Sequence, residues 1–143
     1  MAMDAGKPAS WLERLLVLLD WSVLRYLTVG VANTFVGLGT IFACKWFLGL
    51  SDVIANAIGY AFGLSLSFLL NKRWTFQFDG AHLPALLRFL GVIMVAYLAN
   101  VATLLLLIWA GVDSYLAQTL AVAPYTIIGY VGSRYIAFPD QRG

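Results

Sequence analysis

The apolar stretches of this chain contain no aspartate, glutamate or histidine, and that absence excludes more than any single motif suggests. A membrane hydrolase or transferase needs a base beside a nucleophile, or a carboxylate pair to hold a metal. Neither is present, so no enzymatic activity, no metal and no cofactor are expected. The same gap excludes a proton-coupled exporter, which needs a titratable carboxylate at membrane depth. The one histidine, His82, stands in a loop without companion ligands and reads as solvated. The one cysteine, Cys44, rules out an intrachain disulfide and, inside an apolar run, reads as packing. A nucleotide-binding loop is missing as well, and nucleic acid is not among the expected partners. The first residues lack a basic segment leading to a short apolar stretch and a small-residue cleavage site, so the first spanning helix is expected to act as the insertion signal.

What is there is apolar. Of 143 residues 62% are hydrophobic and only 11% charged, with a mean hydropathy of +0.84. Soluble domains carry about a quarter of their residues as charges, so the composition is that of an all-α polytopic membrane protein. Four transmembrane helices are expected, over residues 26–48, 53–71, 86–109 and 115–137. They form a domain over residues 25–138, since a bilayer core of roughly 30 Å takes about 20 apolar residues to cross. Residues 1–24 form an N-terminal segment in which Ser10 and Glu13 make a capping box. That box opens either an amphipathic helix lying in the interface or an extension of the first span. Residues 139–143 are a tail.

The cations set the orientation. Lys7, Arg14, Arg25, Lys72, Arg73, Arg88, Arg134 and Arg142 fall on the side of the termini and the central loop, and only Lys45 on the other. Cytoplasmic connections carry the excess of Lys and Arg, so both termini are expected in the cytoplasm, in a multi-pass protein of the cytoplasmic (inner) membrane. Lys45 would snorkel to the outer headgroups. Asp52 and Asp113 occupy equivalent outer turns and read as helix caps.

The halves resemble each other. Arg25-Tyr26-Leu27 matches Arg88-Phe89-Leu90 and Trp46 matches Trp109 at an offset of 63; Lys72 matches Arg134 and Phe76 matches Phe138 at an offset of 62. Two spans per unit make the copies enter the membrane in the same direction, as parallel two-helix repeats about an axis along the membrane normal. That axis would gather Arg25, Lys72, Arg88 and Arg134 into one cytoplasmic ring.

In the second span Ala55, Gly59, Gly63, Ser67 and Asn71 recur every fourth residue, a stripe of small side chains that lets a backbone or a lipid chain approach closely. Its counterpart in the fourth span is Ala117, Ala121, Tyr125, Gly129 and Ser133, where Tyr125 partly fills the surface. Pro124 frees a backbone carbonyl and, by kinking that span, would open a lateral groove. At headgroup depth Arg25, Lys72, Arg73 and Arg88 either bind a phosphate or simply obey the topology rule and meet generic anionic lipid. Asn56, Asn100 and Gln118 read as interhelical hydrogen-bond formers, and Asn33 and Asn71, nearer the basic rim, as contacts for a polar headgroup.

The pattern Arg25-Tyr26, Gly30, Asn33-Thr34, Ala55-Asn56, Gly59, Phe68 and Asn71-Lys72-Arg73-Trp74-Thr75-Phe76, on four spans, resembles the GtrA-like family of small membrane proteins over residues 25–138. The sequence departs from the family pattern at Gly37, where an acid often follows the Asn-Thr pair, and at Ser67, where an amide is usual. The resemblance implies translocation of a polyprenyl-phosphate-linked sugar for cell-surface polysaccharide modification, or a non-transporting adaptor that anchors a polyprenyl-phosphate glycosyltransferase. It places the lipid phosphate and headgroup at Arg25, Asn33, Asn71, Lys72, Arg73 and Trp74, to which the repeat adds Arg88 and Arg134. The lipid groove is expected along Gly59, Gly63, Ser67, Pro124 and Tyr125. Membrane lipids and a glycosyltransferase are the expected partners. Four helices are too few to enclose a wide aqueous path, which leaves a groove or a homo-oligomer.

Overall fold

A computed structural model describes residues 21–139, and the described residues are helical with short connections and no strand. Helix α1 spans Trp21–Leu48, α2 Asp52–Leu70, α3 His82–Trp109 and α4 Ser114–Gly132. The expected capping box and interfacial helix, and the tail beyond residue 139, lie outside the described residues. Helices α2 and α4 each run on into one π-helical turn, Asn71–Thr75 and Ser133–Ala137. These turns close on backbone bonds from Phe76 N to Asn71 O (2.9 Å) and from Phe138 N to Ser133 O (2.8 Å). The two halves therefore carry the same series of lengths, 28, 19 and 5 residues.

Helices α1, α2 and α3 are long and apolar enough to cross a membrane. Helix α4 is not among them, because Gln118, Pro124 and the tyrosines Tyr115, Tyr125 and Tyr130 dilute its apolar content. Large apolar side chains such as Phe35 (73%), Phe62 (61%) and Leu106 (64%) stand exposed along the helices. In water such a surface would aggregate, whereas in hydrocarbon it costs nothing. Backbone polar groups must then be satisfied internally, and the hydroxyls follow the same rule. Thr28, Thr34, Thr40, Ser65, Thr103, Thr119 and Thr126 each donate to the carbonyl four residues back.

Glycines in the left-handed region end the first helix of each half, Gly49 at φ +62° and Gly111 at φ +84°. Beyond Gly111 the chain restarts with Asp113 as the cap expected of it, its Oδ1 accepting from Tyr115 N (3.0 Å) and Leu116 N (3.2 Å). Asp52 does otherwise. Ser51 holds the cap position of α2, and Asp52, in the first turn, pairs with Lys45 across the connection. Lys45, expected at the outer headgroups, thus forms an exposed ion pair with a neighbour in space, worth under about 1 kcal/mol.

Helix α1 packs chiefly on α2, and α3 on α4. Both small stripes are spent on packing: Ala55, Gly59, Gly63, Ala117, Ala121 and Gly129 are buried. Asn100 bridges α3 to α4 as expected, donating to the Ala121 carbonyl at 2.8 Å. Asn56 and Gln118 do not bridge helices; they bond within their own helix, to Asp52 O (3.2 Å) and Ser114 Oγ (3.4 Å). Each stands one residue after a buried alanine, about 100° around the helix from the packed face. Asn100→Ala is accordingly expected to lower stability by about 1 kcal/mol in a detergent unfolding titration, and Asn56→Ala to leave it within about 0.5 kcal/mol.

The pairs join at the end that carries Arg25, Asn71 and Phe138. Phe68, Phe78, Ala85, Phe89, Ala137 and Phe138 form a buried cluster there. Phe138 is its centre, with ring centroids 5.8 Å from Phe68, 5.5 Å from Phe76, 5.9 Å from Phe78 and 5.8 Å from Phe89. Tyr26 carries the contact to α4, 5.6 Å from Tyr130.

Candidate functional site

Two cavities flank this aromatic cluster. The first is an apolar groove of about 740 Å³ between α1, α2 and α3, reaching Tyr125 on α4. Of the residues expected to line a lipid groove, Gly59, Gly63 and Tyr125 do so, whereas Ser67 and Pro124 lie outside the lining. Asn33 enters this groove rather than the basic rim. Its Oδ1 is buried without a partner and lies 2.7 Å from where a Cβ on Gly63 would sit. The small stripe therefore does not lie open to lipid along its length. It brings α1 close to α2, and the groove opens at the edge of that contact.

The second cavity, about 480 Å³, lies under the connection between α2 and α3 and is lined by Lys72, Arg73, Gln77, Phe78, Asp79 and His82. Lys72 is only 2% exposed. Its Nζ donates to Gly80 O (2.6 Å) and meets His82 Nδ1 (2.7 Å), and it lies 5.6 Å from the centre of the Phe78 ring. A buried ammonium is stable only when so bonded, which makes Lys72 the pin of the connection. His82, read as a solvated loop residue, is exposed but is one of the two groups that hold that pin. Its ring also lies 6.5 Å from that of Phe68. Arg73 points outward beside Lys72, and among the described residues it makes no hydrogen bond or ion pair.

The remaining cations are engaged separately. Arg25 donates to Trp74 O (3.1 Å) and lies 5.8 Å from the centre of the Trp74 ring, so these two expected site residues stand together. Arg134 donates to Ser22 Oγ (2.9 Å) and Tyr130 Oη (2.6 Å), which ties α4 to the start of α1. Ser22 drew no attention in the sequence because it lies more than a hundred residues from both of its partners, Tyr130 and Arg134. Arg88 is exposed and lines neither cavity. Asn71 is 1% exposed, donates to Ser67 Oγ (3.3 Å) and keeps its Oδ1 without a partner. In place of an even ring of four cations, the described residues place Lys72 and Arg73 at one cavity, with Trp74 on the same π-helical turn and bonded to Arg25 of α1, while Arg134 is tied to Ser22 and Tyr130.

Chemically, the pair of cavities suits an amphiphile. The groove has room for a branched hydrocarbon chain and offers it few polar groups. The cationic cavity offers a guanidinium that can take a phosphate in bidentate fashion and an ammonium at its floor. Both are reached from α2, and Gly63 and Lys72 are nine residues apart, about 14 Å along the helix.

A family model described as GtrA/DPMS, transmembrane domain, matches residues 25–138. The bactoprenol-linked glucose translocase of Salmonella phage P22 is 27% identical over 123 residues, covering 82% of this chain and 95% of that protein. The proteins of the same name from Shigella phages SfV and SfII are 25% and 24% identical over 125 residues, each match covering 83% of this chain and 96% of the phage protein.

Proposed function

The chain belongs to the GtrA/DPMS transmembrane-domain family, and from that premise we propose that it moves a polyprenyl-phosphate-linked sugar from the cytoplasmic to the outer leaflet of the cytoplasmic membrane. The observation that carries the reading is that one helix, α2, borders an apolar groove through Gly59 and Gly63 and ends in Lys72 and Arg73 at a cationic cavity. The relatives named as bactoprenol-linked glucose translocases supply the substrate class. In this reading Arg73 takes the phosphate from the membrane side and Lys72 completes its neutralisation. Arg25 and Trp74 hold the π-helical turn that presents them, and Asn71 and Arg134 fix the neighbouring helix ends. Arg88 attracts the anionic lipid at longer range. The prenyl chain lies in the groove, where Asn33 offers a polar group partway across.

The topology that fits this path has α4 as a fourth span, its π-helical turn extending it to Ala137. The two halves are then parallel repeats within a membrane domain over residues 25–138. The matched helix lengths and the paired π turns support that arrangement. Both termini and the α2–α3 connection lie in the cytoplasm, as the cation bias requires. The chain moves its substrate without transforming it. A glycosyltransferase that makes the lipid-linked sugar, or consumes it on the far side, is the partner that gives the movement direction, and a homo-oligomer widens the path.

The test is a leaflet assay in proteoliposomes with a fluorescent glucosyl bactoprenyl phosphate. Arg73→Ala removes a charge-assisted contact worth about 1.5–3 kcal/mol, so its initial rate is expected to fall about tenfold or more. Should Arg73→Ala and Arg25→Ala flip at the wild-type rate while a glycosyltransferase is lost from pull-downs, the basic end is a docking surface and the adaptor role replaces transport.

A further inference from the structure

The cavity under the α2–α3 connection holds two charges of opposite sign that do not meet. Arg73 and Asp79 both line it, yet among the described residues neither forms an ion pair or a hydrogen bond. A site for a bare phosphate has no use for a carboxylate, which repels the anion. A carboxylate does suit hydroxyl groups, because it accepts through two oxygens, and the amide of Gln77 beside it both donates and accepts. The polar chemistry thus runs across the cavity from anion-binding at Lys72 and Arg73 to diol-binding at Gln77 and Asp79.

We infer that the segment Gln77 to His82 is the sugar subsite: Asp79 and Gln77 take adjacent hydroxyls of the sugar while Arg73 takes the phosphate that links it to the lipid. The inference rests on the reading above, in which a lipid-linked sugar is the substrate. The volume of about 480 Å³ falls in the range of small-molecule sites, about 300–1,000 Å³.

The segment is also built to hold one shape. Lys72 anchors it at Gly80 O and at His82 Nδ1 with two of its three ammonium protons, leaving one for the phosphate. Phe78 N donates to Lys72 O (2.7 Å), and the Phe78 ring is buried 5.9 Å from that of Phe138. A Cβ on Gly80 would collide with the Phe78 ring, so only glycine allows the chain to pass there. Gln77 sits at φ +48°, a conformation that a non-glycine residue keeps only when its surroundings determine it. Fixing these groups in advance removes part of the ordering cost of binding, which is how a short loop distinguishes one sugar from another.

The experiment is lipid binding to the full chain in phosphatidylethanolamine/phosphatidylglycerol nanodiscs. The probes are bactoprenyl phosphate and its glucosyl, galactosyl and N-acetylglucosaminyl esters. At least one ester is expected to bind about tenfold tighter than bactoprenyl phosphate. Asp79→Asn should erase that preference while leaving bactoprenyl phosphate bound as well as before or better, since a repelling charge has gone. Asp79 is exposed, so the variant should keep the wild-type melting temperature. If no ester exceeds bactoprenyl phosphate in the wild type, or Asp79→Asn weakens all the lipids equally, the sugar subsite is refuted and the lipid reading stands. If neither bactoprenyl phosphate nor any ester binds, both are refuted.

Discussion

Gly59→Leu is expected to leave no folded protein, whereas Gly37→Ala, on the other side of the same contact, is expected to be tolerated. A Cβ on Gly59 would collide with the Ile41 side chain and come within 2.9 Å of the Gly37 carbonyl oxygen. Ile41 can rotate, but the carbonyl belongs to the α1 backbone and can move only if the whole helix does. Overpacking by one methyl therefore costs about 1–3 kcal/mol at this position, and leucine, with three more carbons, costs more than a small membrane domain can lose. Seen from α1 the same contact is loose, because a Cβ on Gly37 would find the Gly59 oxygen at 3.7 Å, an ordinary separation. Gel filtration in dodecyl maltoside separates the cases: Gly37→Ala should elute as wild type, Gly59→Ala as a sample with a lowered melting temperature, and Gly59→Leu as aggregate. Equal behaviour of Gly37→Ala and Gly59→Ala would contradict the packing described.

Phe138→Ala is expected to cost about 3 kcal/mol, the lower end of the range for deleting a buried aromatic ring. The lower end applies because an unfolded helix in lipid still surrounds this ring with hydrocarbon, so the transfer contribution is small and the loss is mainly of dispersion contacts and ring pairs. Phe138 is 2% exposed and meets four other rings at 5.5–5.9 Å. One of these is Phe78, so the α2–α3 connection should loosen together with the helix ends. The expected result is a lower midpoint in a detergent unfolding titration, accompanied by new protease cleavage between residues 77 and 81. Phe35→Ala, which removes a ring that is 73% exposed, is the control and should shift neither.

Much of the helical architecture can be read from hydropathy alone, because lipid requires long apolar runs and closed backbone bonds. The first two apolar runs of the sequence fall on α1, Trp21–Leu48, and α2, Asp52–Leu70. The start of α3 is harder to read. Pro84 suggests a turn, yet the helix begins at His82 and holds the proline in its first turn, where no backbone donor is missed. The stripe Ala55, Gly59, Gly63 is legible as a period of four, but its direction is not, since small residues serve a helix contact and a lipid groove equally well. Lys72 shows a similar limit. A cation ending an apolar run reads as a topology signal, and only the fold shows its ammonium turned inward onto Gly80 and His82. The bond from Arg134 to Ser22 depends on how α4 meets α1, which no local pattern encodes.

The paired π turns have a consequence for how this chain can change length. Each closes a ring one residue larger than an α-helical turn, so deleting one residue from Asn71–Thr75 would let the ladder revert to the α form. The extra residue is absorbed within the turn, so the chain beyond such a deletion would keep nearly its present facing, whereas the same deletion one turn earlier, in α-helix, would rotate everything after it by about 100°. The stack of Phe76 on Phe138 should therefore survive the loss of a residue within either π turn, and single-residue changes of length should collect at these two sites.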